Sequence, residues 1–242
     1  MGEEILTGEW TEDRLNNLLK EASAIADPGA RAAFISERFL NTPYAESTLT
    51  GGIDTEELFV INLSAFDCFT FIDCIEAMRS SASYSLFKEN LKNLRYRSGT
   101  VGFKNRNHFF TDWAEFNSGL VVDVTEEIGG ERSASVAKRL NVGKGGTPIL
   151  PGIEPRPREL AYIPSTRLDE EVIGRLATGD YVGIYSEVDG LDVSHVGIII
   201  KKGQTPYMRH ASSSKAIRAV VDDNLKEYLK GRPGIILLRP KA

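Results

Sequence analysis

Cysteine and histidine are scarce in this chain: two of the first and three of the second among 242 residues. Two cysteines build no disulfide framework. Cys68 and Cys74 fall on what the pattern reads as one helix, rotated about 240° from each other, so a bond between them is geometrically excluded. No run reaches the roughly 18 apolar residues of a membrane span. The opening "MGEEILTGEW" has neither a cationic nor an apolar leader segment, so a secretory signal is expected only if one was removed ahead of Glu3. With a net charge of −5 and dispersed basic residues, the basic stripe of a nucleic-acid binder is missing. There is no G-x-S-x-G elbow for a serine hydrolase. "GKGGT" at 143–147 lacks the phosphate-loop spacing and reads as a turn. Internal repeats and low-complexity tracts are absent too.

What is present is ordered by period. "WTEDRLNNLLKEASAIA" carries Leu15, Leu18, Leu19, Ala22 and Ile25 on one helical stripe. Asp27 followed by Pro28 starts a second helix. "LFVINL" reads as a buried strand. Asp67 caps a helix with the stripe Phe71, Ile72, Ile75 and Met78, and "SLFKENLKNLRYR" is the next helix. "LVVDVTEEI" reads as a strand. Residues 129–165, rich in Gly, Pro and charge, read as a surface excursion without regular elements. "DEEVIGRLATGD" predicts a helix ending at Gly179. "YVGIYS", "SHVGIIIKK", "YMRHAS" and "AIRAVV" predict an antiparallel meander, followed by a helix over "DDNLKEYLK" and a last strand "GIILLRP". Helices first and sheet afterwards make an α+β protein, with helices packed on a small antiparallel sheet.

The chemistry concentrates on the cysteine motif. Cys68 follows the capping aspartate, where unpaired backbone N–H groups and the helix dipole favour a thiolate and can hold an oxyanion. Cys74, two turns in, reads as core. A nucleophilic thiol needs a base. His195 opens one strand and His210 lies on the next, which a hairpin brings side by side. Taken singly, each histidine reads as a structural hydrogen-bonder; as a pair they suggest a base and its orienting group. A zinc site built from Cys68, His195 and His210 is the rival, but no H-E-x-x-H or C-x-x-C spacing supports it. No metal and no cofactor is expected. "RNHFFTDW" is left open between core cluster and substrate wall, with Arg106, His108 and Trp113 as its contact candidates.

"PYAESTL", "FDCFTF", "GDYVGIYS", "SHVGIII" and "YMRHAS" together resemble the NlpC-type papain-like fold of bacterial cell-wall hydrolases. The resemblance implies Cys68 as nucleophile, His195 as base, His210 as third polar residue and Tyr44 as the tyrosine facing the site. Asp67 and Ser194 are expected to line the pocket. "NRNHFFTDW", "YIPSTRL" and "GLDVSHVGIII" resemble one branch of that superfamily, first described as a domain of unknown function and associated with N-acetylmuramoyl-L-alanine amidase activity. The implied layout is one domain over 1–242. Residues 1–41 are a helical elaboration, 42–80 and 178–240 the papain-like core, and 81–177 a family-specific insertion.

One departure is informative. Many related endopeptidases carry Ser and Gly after the cysteine, and the Asp and Ser around it help bind the free amine of a stem peptide, whereas Phe69 and Thr70 stand after Cys68 here. The implied reaction is cysteine-dependent hydrolysis of the muramoyl–L-alanine amide of peptidoglycan or soluble muropeptides through a thioester. A γ-D-glutamyl–diamino-acid endopeptidase is the alternative within the fold, and a non-catalytic wall-binding module the alternative outside enzymes. Peptidoglycan fragments are the expected partner, with no nucleic acid and no membrane span. The expected location is periplasmic or secreted, with cytoplasmic recycling as the other option.

Overall fold

The computed structural model describes residues 2–242. Strand β1 (Glu3–Leu6) leads into helix α1 (Glu12–Ser23), whose cap Thr11 accepts from the Arg14 N–H and whose stripe Leu15, Leu18, Leu19 and Ala22 is buried. Helix α2 (Pro28–Glu37) starts on Asp27, which accepts from Ala30 N at 2.6 Å. Strand β2 (Phe59–Asn62) pairs in parallel with β1, a strand the sequence reading did not foresee.

Helix α3 (Cys68–Arg79) is the centre of the molecule: every residue from Thr70 to Arg79 is buried. Its buried charges are all paired. Asp73 accepts from Arg95 Nε at 2.9 Å and Trp113 Nε1 at 2.8 Å. Glu76 accepts from Arg79 Nε and from the Tyr181 hydroxyl, both at 2.7 Å. Removing one partner of such a pair strands the other charge in the core, at about 3–5 kcal/mol. These ties hold α3 against its neighbours in one rotation.

Helices α4 (Tyr84–Arg95) and α5 (Phe110–Phe116) follow, then β3 (Val121–Asp123) and α6 (Thr125–Gly129). The stretch read as one strand is thus a three-residue strand running into a helix. Strands β4 (Ala134–Leu140) and β5 (Arg156–Pro164) come next, in the segment read as irregular. Their alternation was hidden because the partly inward positions include Lys138, Arg156 and Arg158. Lys138 Nζ donates to the carbonyls of Ser186, Val188 and Leu191, and Arg158 donates to Asp112 at 2.5 Å. Tertiary partners therefore replace the apolar residues that a strand pattern needs.

Helix α7 (Glu170–Arg175) stops four residues before the predicted Gly179. Gly179 instead takes a φ of +92° in the turn into β6, where a Cβ would lie 2.1 Å from the Cα of Gly29. Then come β6 (Tyr181–Tyr185), β7 (Val193–Lys202), β8 (Thr205–Ala211) and β9 (Val220–Asn224). A single-turn helix, α8 (Leu225–Tyr228), precedes β10 (Gly234–Pro240). The predicted helix over "DDNLKEYLK" is corrected here: Asp222, Asp223 and Asn224 belong to β9, because Met208 and Arg209 on β8 pair with Asp223 and Asp222.

The sheet is larger than expected. Eight strands pair in the order β4-β5-β10-β6-β7-β8-β9, with β3 also on β10, and every pair is antiparallel. Tyr181, Val196, Ile198, Ile236 and Leu238 face the core shared with α1–α5, while Val182, Ile184, Ile199, Met208 and Leu237 belong to a second core with α6–α8. Both faces are covered, which is why "GIII" and "GIILL" read as continuous apolar runs.

Candidate active site

Cys68 opens α3. Asp67 caps that helix with Oδ1, which accepts from Phe69 N at 3.0 Å, Thr70 N at 2.8 Å and Thr70 Oγ1 at 2.9 Å. Thr70 Oγ1 in turn accepts from Asp67 N at 3.1 Å, completing a capping box. The other carboxylate oxygen accepts from Thr48 Oγ1 at 2.9 Å. Cys68 is partly exposed; Cys74 is 1% exposed, as expected of a core residue.

The sulfur of Cys68 lies against β7, facing the N–H of Val196, the residue after His195, as well as its own N–H and that of Phe69. The β7–β8 ladder runs only from Lys202–Thr205 to Ile198–Arg209. Beyond its end, His195 Nε2 and His210 Nδ1 are 2.7 Å apart, with the rings edge to face. Gly197 permits this approach: a Cβ there would lie 2.8 Å from the Arg209 carbonyl oxygen. His210 Nε2 meets Asp223 Oδ2 at 3.0 Å. The ring of Tyr228 stands 5.0 Å from that of His210 and 6.1 Å from that of His195, and the Arg232 guanidinium stacks on it at 4.1 Å.

Burial governs the electrostatics. It pushes the Cys68 thiol up to about 12, Asp67 adding to the effect while the facing N–H groups oppose it. It pushes His195 down to about 3, with His210 and Arg232 acting in the same direction. His210 is lowered by burial too, against the pull of Asp223. The expectation that the helix start favours a thiolate is therefore corrected: desolvation of an anion outweighs a partial helix charge. At rest both the Cys68 thiol and the His195 imidazole are uncharged.

The other anticipated residues divide. Tyr44 bridges to Phe66, donates its N–H to the Arg218 carbonyl and stacks under the Arg218 guanidinium at 4.7 Å. Its phenol is raised by burial and then by the charges of Cys68 and Asp67. Ser194 is exposed at the bulge between β6 and β7, donating to the Ile184 carbonyl at 3.4 Å. Trp113 is fully buried and is not a substrate wall. Arg106 and His108 do line a pocket, of about 360 Å³, together with Ser47, Asp67, Phe69 and Asn107. His108 is held neutral, down to about 4, chiefly by burial. Sequence reasoning missed Asp223, because it put this residue in a helix, and Tyr228, whose helix it placed without its packing on the histidines; the available signal for Asp223 was a carboxylate on the strand after the histidine strand.

The family comparison adds identity to this geometry. A family profile for N-acetylmuramoyl-L-alanine amidase-like (AmiA-like) proteins matches residues 34–235. The chain belongs to this family. No curated protein matches it. Among solved structures it is similar to a Legionella pneumophila protein of the DUF1460 family, at 23% identity and TM-score 0.81, covering 96% of this chain and 94% of that one. It is also similar to an N-acetylmuramoyl-L-alanine amidase from Bacteroides uniformis, at 25% identity and TM-score 0.69, covering 95% and 100%. A Bacteroides fragilis protein provisionally named a xylanase is similar at 27% identity and TM-score 0.68, covering 84% and 98%. The amidase-like family points to a peptidoglycan-related substrate.

Proposed function

We propose that this amidase-like protein is a cysteine-dependent hydrolase with a papain-like NlpC-type core, cleaving the amide between muramic acid and L-alanine in peptidoglycan or its soluble fragments. The observation that carries the reading is Cys68 at a capped helix start, its sulfur against the backbone beside His195, which in turn bonds His210. In this reading residues 42–80 and 178–240 are the core, 1–41 the helical elaboration and 81–177 the insertion.

His195 takes the proton of Cys68 as the sulfur attacks the amide carbonyl. The Cys68 N–H and the Tyr44 hydroxyl hold the oxyanion. His195 returns the proton to the leaving amine of L-alanine, and a thioester to the lactyl group remains. Water, deprotonated by His195, attacks it; the thiol is regenerated and the carboxylic acid leaves. His210 orients His195 throughout. The pocket beside Phe69 receives the substrate and Asp67 shapes its wall through the cap, whereas Ser194 does not line it. With such a substrate the protein works in the periplasm, outside the cell or on recycled fragments.

Asp67 favours the amidase over the endopeptidase. An amine clamp needs free carboxylate lone pairs, and Asp67 already accepts from two N–H groups and two hydroxyls. A glycosidase would need two carboxylates flanking the sugar bond; here Asp67 is engaged by the cap and Asp223 by His210. A defined muropeptide, digested and weighed by mass spectrometry, tests the reading. Release of an intact stem peptide, abolished by Cys68→Ala, is expected. A dipeptide product would mean the endopeptidase, and full activity in Cys68→Ala would end the cysteine mechanism.

A further inference from the structure

We propose that Asp223 is a positioning residue for the reaction, fixing through His210 the tautomer of His195 so that the nitrogen left for the cysteine proton is Nδ1. This rests on the reading of Cys68 and His195 as the reacting pair.

The argument is a count of protons along measured contacts. A carboxylate only accepts, so His210 Nε2, 3.0 Å from Asp223 Oδ2, carries a hydrogen. A neutral His210 then has a bare Nδ1. His195 Nε2, 2.7 Å away, must therefore be the donor. A neutral His195 that carries its hydrogen on Nε2 presents a bare Nδ1, the base form. Among the described residues no other acceptor bonds His210 Nε2. Its neighbour Asp222 is held by Arg209 at 2.7 Å and Lys202 at 3.0 Å. Tyr228 meets both rings from α8, and Arg232, stacked on Tyr228, disfavours a proton on either imidazole. The other ionisable neighbour, Cys68, is held as a neutral thiol. His210 is 1% exposed, whereas the Asp223 side chain is 36% exposed, so the relay runs from a buried ring to a carboxylate at the surface.

Without this anchor both links can reverse. An asparagine at 223 can donate to His210 Nε2, which makes His210 Nδ1 the donor and leaves the hydrogen of His195 on Nδ1, the nitrogen that the proposed reaction needs bare. The comparable change in a serine-protease triad costs about 10⁴ in kcat. Asp223 is half-exposed and water can replace it in part, so a loss of roughly 100-fold is expected.

The test uses the full chain. In the wild type, imidazole nitrogen chemical shifts, readable because only three histidines exist, should show His195 and His210 protonated on Nε2. Asp223→Asn should shift His195 toward the Nδ1 tautomer, lower kcat about 100-fold and leave KM within twofold. Asp223→Glu should restore most of kcat. Wild-type His195 protonated on Nδ1, or Asp223→Asn and Asp223→Ala variants with unchanged kcat, would overturn the proposal. The tautomer readout needs no turnover, so it stays distinct from a failure of the cysteine mechanism, which Cys68→Ala alone reports.

Discussion

Replacing Asp67 separates its two conceivable duties, holding the helix and holding a substrate. Asp67→Ala leaves Phe69 N and Thr70 N without their acceptor and frees the hydroxyls of Thr48 and Thr70. Loss of an N-cap costs about 1–2 kcal/mol. Loss of the Thr48 bond to a charged acceptor adds about 1.5 kcal/mol. The sum is about 3 kcal/mol. For 242 residues the unfolding entropy is about 0.5 kcal/mol per kelvin, so the midpoint should fall by about 6 °C in a thermal melt. Asparagine caps as well as aspartate, so Asp67→Asn should cost under about 1 kcal/mol. It also removes the charge that, after burial, most raises the Cys68 thiol. Alkylation of Cys68 by a neutral haloacetamide at fixed pH should then accelerate, because more of the thiol is ionised. KM for a muropeptide should stay within twofold. A tenfold rise in KM with an unchanged melt would show that Asp67 binds substrate, and the saturated-cap reasoning would be wrong.

Two further outcomes follow from the buried charges and histidines. His195, held near 3 against an ordinary 6.5, is protonated less readily folded than unfolded, so stability is intact above pH 6.5 and is lost as pH falls below it. Between pH 7 and 5 the wild type should lose about 2 kcal/mol more than His195→Gln in urea titrations; parallel losses would refute the assignment. Asp73→Ala should destabilise by about 3–5 kcal/mol by stranding Arg95, and a midpoint in denaturant within 1 kcal/mol of the wild type would contradict the pairing.

The local devices were legible in the chain. Asp27 and Asp67 cap their helices because short polar side chains satisfy the first free N–H groups wherever a helix begins. The stripe Phe71, Ile72, Ile75 and Met78 follows from helical rotation, the core position of Cys74 from its place two turns into the apolar run, and the apolar runs of β6, β7 and β10 from burial on both faces. That His195 and His210 come near each other was readable because a hairpin joins their strands, although the contact itself forms beyond the end of the ladder.

The rest depended on partners far apart in sequence. Strands β4 and β5 take their place through Lys138 and Arg158, whose partners lie on other segments, so no alternation of apolar residues announced them. The acidic run 222–224 resembles a helix start, and only pairing with β8 makes it a strand and turns Asp223 toward His210. The protonation of Cys68 was decided in the same way. A helix start by itself favours a thiolate, but packing against β7 removes the water that an anion needs, and that desolvation exists only in the folded chain.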